Sequence, residues 1–270
     1  MHPRVGFAFA TLSIVLRRAS GAAKMYGWVS SGHSNAGLCD NLQRNVGISD
    51  RVMAAMKRVD RAFYTRDPSV AYYDSPQVIG YGQTISAPHM HALAMKVIEP
   101  YVLKGDTPVS LLDVGSGSGY LAACFAELIA GAEKSGHVVG IDNVRELVEW
   151  SISNVERDGK NGMLKATYFQ EERDMAVGGV NPVQLTLALG DGYEGYAPAG
   201  PYDAIHVGAA MPTVPLKLID QLKSGGCFVG PIGDPGHQEF VRIHKNVDGT
   251  TSTHFITTVR YVPLTPGIPR

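Results

Sequence analysis

"VSLLDVGSGSGYLAACFAELIAGA", residues 109–132, is an apolar run that ends in a glycine-rich turn and reopens as a second apolar run. Val109 to Val114 has the length and character of one strand, and Gly115, Gly117 and Gly119 let the backbone turn tightly before "YLAACFAELIAGA" continues as a helix. The pattern then repeats. "HVVGIDN" (137–143) predicts a strand and "VRELVEWSISNVERDG" (144–159) a helix stopped by Gly159. "VQLTLALGDG" (183–192), "YDAIHVGAA" (202–210), "PLKLIDQLKSGG" (215–226) and "CFVGPIG" (227–233) prolong the alternation. Apolar strands alternating with helices predict a doubly wound, mostly parallel α/β sheet of Rossmann-like layout, covered by helices on both faces.

Working outward, "EFVRIHKN" (239–246) and "THFITTVRYVPL" (253–264) flank the turn signal "VDGT" and predict a C-terminal antiparallel hairpin at the sheet edge. Between two core elements, "KNGMLKATYFQEERDMAVGGVNPV" (160–183) is polar and glycine-bearing and reads as a surface insertion. Upstream, "NAGLCDNLQRNVG" (35–47) places Leu38, Leu42 and Val46 on one helical face before Gly47, and "SDRVMAAMKRVD" (49–60) restarts a helix with Ser49 as N-cap. "RAFYTRDPSVAYYDSPQVIGYGQ" (61–83) has no helical period and reads as irregular. "SAPHMHALAMKVIEPYVL" (86–103) reads as a helix, with Ser86 as its N-cap and Pro88 in the first turn. The division expected is a leader at 1–24 and one domain at 25–270: a helical part to 108, a cofactor-binding core at 109–235, and terminal strands from 236.

The chain of 270 residues is 44% hydrophobic and nearly neutral, with 24 basic and 25 acidic residues, so its overall field steers neither nucleic acid nor anionic membrane toward it. Its three cysteines are dispersed and odd in number, against a disulfide framework or a zinc site. His89 and His91 stand two apart on a helix and face different ways, so no metal is expected there. The leader carries Arg4, Arg17, Arg18 and Lys24 before the first acidic residue, Asp40. It admits a mitochondrial presequence, a secretory segment disfavoured by the arginines that follow it, or a start at Met25. No later segment is long enough to span a membrane. A cytoplasmic monomer is the expectation, with a mitochondrial address as the alternative.

In a doubly wound sheet, ligands bind beyond the carboxyl ends of the strands. The glycines there fail the dinucleotide fingerprint, because Tyr120 stands where its third glycine belongs, and no G-K-[ST] follows to make a P-loop. Asp142 is placed to accept the two hydroxyls of a ribose, Asp191 to meet an adenine edge, and Asp113 to orient the loop or face a cation. Each aspartate alone also reads as an Asx turn or cap. All three after successive strands, together with the glycine turn, imply a nucleoside-bearing cofactor.

"LLDVGSGSGYL", "VVGIDN", "LGDGYEGYAPAGPYDAIHVGAA" and "LKSGGCFVGPIG" resemble the successive motifs of class I S-adenosylmethionine-dependent methyltransferases. "DSPQVIGYGQTISAPHMHA" (74–92) resembles the signature of the protein-L-isoaspartate (D-aspartate) O-methyltransferase family, and the similarity runs from about Trp28 to Thr265. The resemblance implies S-adenosyl-L-methionine as methyl donor and age-damaged proteins and peptides containing isoaspartyl residues as partners. It implies that Gln83, Thr84, Ile85, Ser86 and His91 line the pocket, with Ser86 in the active-site position. Gly115, Ser116, Gly117 and Gly119 would hold the methionine end and Asp142 the ribose, with Asp113 and Asn143 also among the cofactor-binding residues. Gly190, Asp191 and Gly192 face the adenine, and Thr265 reaches back from the C-terminus. Ser86 is expected to hold the acceptor carboxylate by hydrogen bonding without forming an ester, and the loop around 75–86 with the "HVGAA" turn to select the substrate. Two rival readings remain: a methyltransferase with another acceptor, such as a small molecule or an RNA base, and a non-catalytic adaptor. The first lacks an N-P-P-Y motif and a basic stripe, and the second is at odds with the intact Asp113, Asp142 and Asp191.

Overall fold

The computed structural model describes residues 29–105, 107–168, 171–173 and 181–268, with backbone alone at 166–168 and 171–173. The leader expected at 1–24 lies outside the described residues. Helix α1 (Asn35–Val46) is capped by Ser34, whose Oγ accepts from the Gly37 N–H, and it stops at Gly47 with φ +69°. Ser49 caps α2 (Asp50–Arg58) by accepting from the Val52 N–H. Both boundaries follow from local side-chain chemistry.

The stretch 61–83, expected to be irregular, holds two short 3₁₀ turns at Arg61–Tyr64 and Pro68–Val70, and then a small hairpin. Its strands β1 (Gln77–Gly80) and β2 (Gln83–Ile85) pair antiparallel about Tyr81. Helix α3 (Pro88–Leu103) follows, with Pro88 in its first turn. Ser86 does not cap it. The N-cap position is Ala87, whose side chain can make no cap bond, and the Asp74 carboxylate accepts from the His89 N–H at 3.0 Å instead.

Strand β3 (Val109–Val114) leads through the glycine turn into α4 (Tyr120–Ala130), β4 (Gly136–Asp142) and α5 (Arg145–Arg157). Every residue of α4 except Ala130 is buried, which explains a helix that is apolar all round. The expected insertion begins inside the body of the protein. Lys160 pairs with Glu127 at 3.1 Å, and Leu164 is buried and bridges to Leu185. Only beyond these residues does the chain turn through β5 (Ala166–Tyr168) and β6 (Glu171–Arg173). The core resumes with β7 (Val183–Leu189), β8 (Tyr202–Val207), α6 (Leu216–Asp220) and β9 (Leu222–Ile232). It closes with the antiparallel pair β10 (Gln238–Lys245) and β11 (Thr251–Val259).

The seven strands of the main sheet run in the order β11-β10-β9-β8-β3-β4-β7, with β9 to β7 parallel and the last two chain strands antiparallel at the edge. Alternate strand residues feed two cores. Leu111, Val138, Leu185 and Val229 meet side chains of α1 to α5 on one face, while Leu112, Val114, Val139 and Ile205 meet Leu218 of α6 and the loops around it on the other. The helical cover is therefore uneven. From β3 the chain moves outward through β4 and β7, then returns to β8, so strand order reverses between β3 and β8. The loops leaving these two strands part there, and a crevice opens between Gly115 and Gly208.

Candidate active site

The crevice has an outer and an inner part that share Thr84, Gly115, Gly117 and Gly208. Gln83, Asp142, Asn143, Gly190, Gly192 and Thr265 line the outer part. Ile85, Ser86, His91, Asp113 and Ser116 line the inner part. Two expected residues stand outside these walls. Gly119, at φ +82°, is the N-cap of α4, and a Cβ on it would lie 3.1 Å from the Ser151 Cβ. Asp191 spends its carboxylate on the Tyr193 N–H at 2.9 Å and the Gly267 N–H at 2.7 Å, so it makes an Asx turn and ties down the C-terminal segment.

The outer part is a cradle only glycine can form at its base. Gly115 and Gly117 have φ of +71° and +52°, and a Cβ on Gly117 would come within 3.1 Å of Ile79. Asp142 fixes this turn, accepting from the Gly117 N–H at 2.9 Å through Oδ2 and from the Val144 N–H at 3.0 Å through Oδ1. Burial pushes its pKa up, opposed by those two bonds. A carboxylate has about four acceptor positions, so a ribose diol can still be received. The far wall is Val262 to Thr265 of the C-terminal segment. Asn143 Nδ2 fastens it, donating to Thr265 Oγ1 at 2.9 Å, Thr265 O at 3.2 Å and Gly267 O at 3.0 Å.

At the inner part, Asp113 is 1% exposed and accepts from His206 Nδ1 at 2.7 Å. Ser86 meets the Tyr261 phenol through its side chain, while its carbonyl accepts from Arg61 Nη2 at 2.8 Å. His91 is bonded through Nδ1 to Arg61 Nη1 at 3.2 Å, and its ring leans on Tyr120 with centroids 5.1 Å apart. Burial, then the positive charge of Arg61, holds His91 well below the usual histidine range, so its imidazole is neutral. The site is thus a polar inner chamber with a buried carboxylate, behind a glycine cradle that ends in a second carboxylate. Such a pair of chambers suits an elongated ligand with a cationic amino end and a diol. Two residues that hold this site carry no signal in the sequence, Arg61 and Tyr261, and His206 is named there only as part of its turn. His206 lies inside the "HVGAA" turn expected to select the substrate, and Asp74, which opens the 74–92 signature, stands behind the site on His89.

The family model described as protein-L-isoaspartate(D-aspartate) O-methyltransferase matches residues 33–268. Protein-L-isoaspartate O-methyltransferase 1 of Arabidopsis thaliana is 45% identical over 238 residues, 87% of this chain and 93% of that protein. The Caenorhabditis elegans protein-L-isoaspartate O-methyltransferase is 41% identical over 240 residues, 88% of this chain and 95% of its own length. A crystal structure of a Plasmodium falciparum protein assigned as a protein-L-isoaspartate O-methyltransferase, in complex with S-adenosyl-L-homocysteine, superposes with a TM-score of 0.70 at 32% identity, covering 87% of this chain and 99% of that one.

Proposed function

We propose, from the premise that the chain belongs to the protein-L-isoaspartate (D-aspartate) O-methyltransferase family, that it transfers a methyl group from S-adenosyl-L-methionine to the α-carboxyl of isoaspartyl residues in damaged proteins. The observation that carries this reading is the family match across 33–268, which takes in both parts of the crevice. The architecture is that of a class I, Rossmann-like methyltransferase.

The residues present fit the donor. The glycine cradle admits a backbone-close ligand, Asp142 can take ribose hydroxyls, and Asp113 can accept an α-ammonium while His206 occupies its Oδ1. S-adenosyl-L-methionine, when bound, supplies a methyl group already activated on a sulfonium. The acceptor carboxyl is ionised at neutral pH, so no side chain has to remove a proton. What the protein contributes is alignment and exclusion of water. Ser86, fixed at its carbonyl by Arg61, presents a hydroxyl that holds the acceptor carboxylate by hydrogen bonding. No ester on Ser86 is required. His91 adds a neutral donor beside it.

The test is transfer of labelled methyl to paired peptides that differ only in L-isoaspartate or L-aspartate at one position. Base-labile label on the isoaspartyl peptide alone is the expected result. Donor binding with no transfer to either peptide would send the assignment to another acceptor. D-aspartyl peptides added to the same assay measure the second substrate class that the family description includes.

A further inference from the structure

Arg61 has no exposed surface, and among the described residues it makes no ion pair. Its guanidinium donates to Ser86 O and His91 Nδ1, lies 5.1 Å from the Tyr120 ring centre, and leaves Nε without a partner. A buried cation with no carboxylate in direct contact, Asp74 acting on it only from a distance, is costly, so its retention calls for a task. Two bonds define that task. A guanidinium can only donate, so His91 Nδ1 must accept, and the ring proton of a neutral His91 must sit on Nε2. Across the chamber the logic is reversed. The Asp113 carboxylate can only accept, so His206 carries its proton on Nδ1. Of the two imidazoles that line one chamber, one is thus made to accept at Nδ1 by a buried cation and the other to donate at Nδ1 to a buried carboxylate.

We infer that Arg61 is a positioning residue for the methyl acceptor: it locks His91 as an Nε2–H donor, fixes the backbone of Ser86, and lends the inner chamber a positive charge that an incoming carboxylate completes. This rests on the functional reading above, and deepens it by naming what favours an anion at the Ser86 and His91 side of the chamber. The groups facing His91 are Arg61 from the 3₁₀ turn, Tyr120 from α4, His206 from β8 and His89 from its own helix. Arg61 is the fixed charge among them in direct contact with the ring, so removing it should release the lock.

Nitrogen-15 spectra of histidine-labelled full-length protein read the tautomer directly. In the wild type His91 should show protonated Nε2 and bare Nδ1 from about pH 5 to 8. In Arg61→Met, the His91 pKa should rise while burial still holds it below the usual histidine range, and kcat/KM for an isoaspartyl peptide should fall on the order of tenfold, through a raised peptide KM. The KM for S-adenosyl-L-methionine should hold within about twofold, because the lost contacts lie on the acceptor side. The Arg61→Met/His91→Gln double variant should lose the new acidic limb of the pH profile. Arg61→Lys, which keeps charge and a donor, should recover part of the peptide affinity. A merely structural Arg61 would lower the melting temperature and disturb both substrates alike. Wild-type His91 protonated on Nδ1, or titrating near pH 6.5, would overturn the inference, as would an Arg61→Met enzyme with unchanged peptide KM. Failure of the wild type to methylate any isoaspartyl peptide would instead sink the functional reading, with the nitrogen spectra still deciding the lock.

Discussion

Ser86 and Asp74 share a boundary where one residue could have held two tasks. Asp74 accepts from the Ser30 N–H at 3.2 Å, the His89 N–H at 3.0 Å and His89 Nδ1 at 2.8 Å. Burial alone would raise its pKa, but the bonds from His89 and Ser30 hold it below the usual carboxylate range. It therefore serves the start of α3 as a charged cap would, and Ser86 is left to the chamber. Asp74→Ala should destabilise the protein by about 2–3 kcal/mol, from the lost cap and the unpaired buried donors it leaves behind. Ser86→Ala should stay within about 0.5 kcal/mol of wild type while kcat/KM drops by roughly a hundredfold. Urea unfolding beside a methyl-transfer assay separates the two, and equal loss of stability in both variants would refute the division of labour. The sequence showed Ser86 as an N-cap because a serine two residues before a proline satisfies the local rule. It could not show Asp74 winning that position, because the competitor stands 15 residues from His89. Arg61 was hidden in the same way, 30 residues from the histidine it holds.

At the scale of elements, what periodicity governs was legible and what distant contacts govern was not. The strands, the glycine turn and the edge hairpin follow from apolar runs and turn residues. The 3₁₀ turns and the β1–β2 hairpin carry no period, so they read as irregular. The five long helices meeting one core could not be foreseen from alternation, because alternation says that strands are covered without saying by what. The C-terminal strap is the element with the clearest functional consequence. Three bonds from Asn143 and one to Asp191 hold residues 265–267 against the outer crevice. The strap they hold is the far wall of the outer crevice, so its hold bears on how long a bound donor stays. Asn143→Ala should therefore speed dissociation of S-adenosyl-L-homocysteine about tenfold and leave association nearly unchanged, as interface losses usually act on the off-rate. Stopped-flow displacement measures it. An unaltered dissociation rate would show that the strap is a passive wall.

For the whole molecule, two histidines set the response to acid. His91 and His137 both have pKa values lowered, in each case chiefly by burial, with the charge of Arg61 adding to the first and that of Lys165 to the second. Groups lowered on folding bind fewer protons in the native state, so their contribution is fully present above the unfolded histidine pKa of about 6.5. It is lost as pH falls below that value toward the folded pKa, because the unfolded chain takes up protons that the native state refuses. The buried Asp142 and Asp158 act with the opposite sign, since burial raises both and protonation near pH 4 favours the folded state. The acid loss should therefore begin between pH 7 and 5.5, ahead of the usual carboxylate range, at roughly 1–2 kcal/mol per pH unit. His91→Gln should remove a larger share of that slope than His137→Gln, because His91 is only 7% exposed whereas the His137 ring is half-buried and its Nε2 bonds to Thr186. Urea midpoints measured at several pH values across this window decide it. A slope left intact in the His91→Gln/His137→Gln protein would move the origin of acid sensitivity away from these two rings.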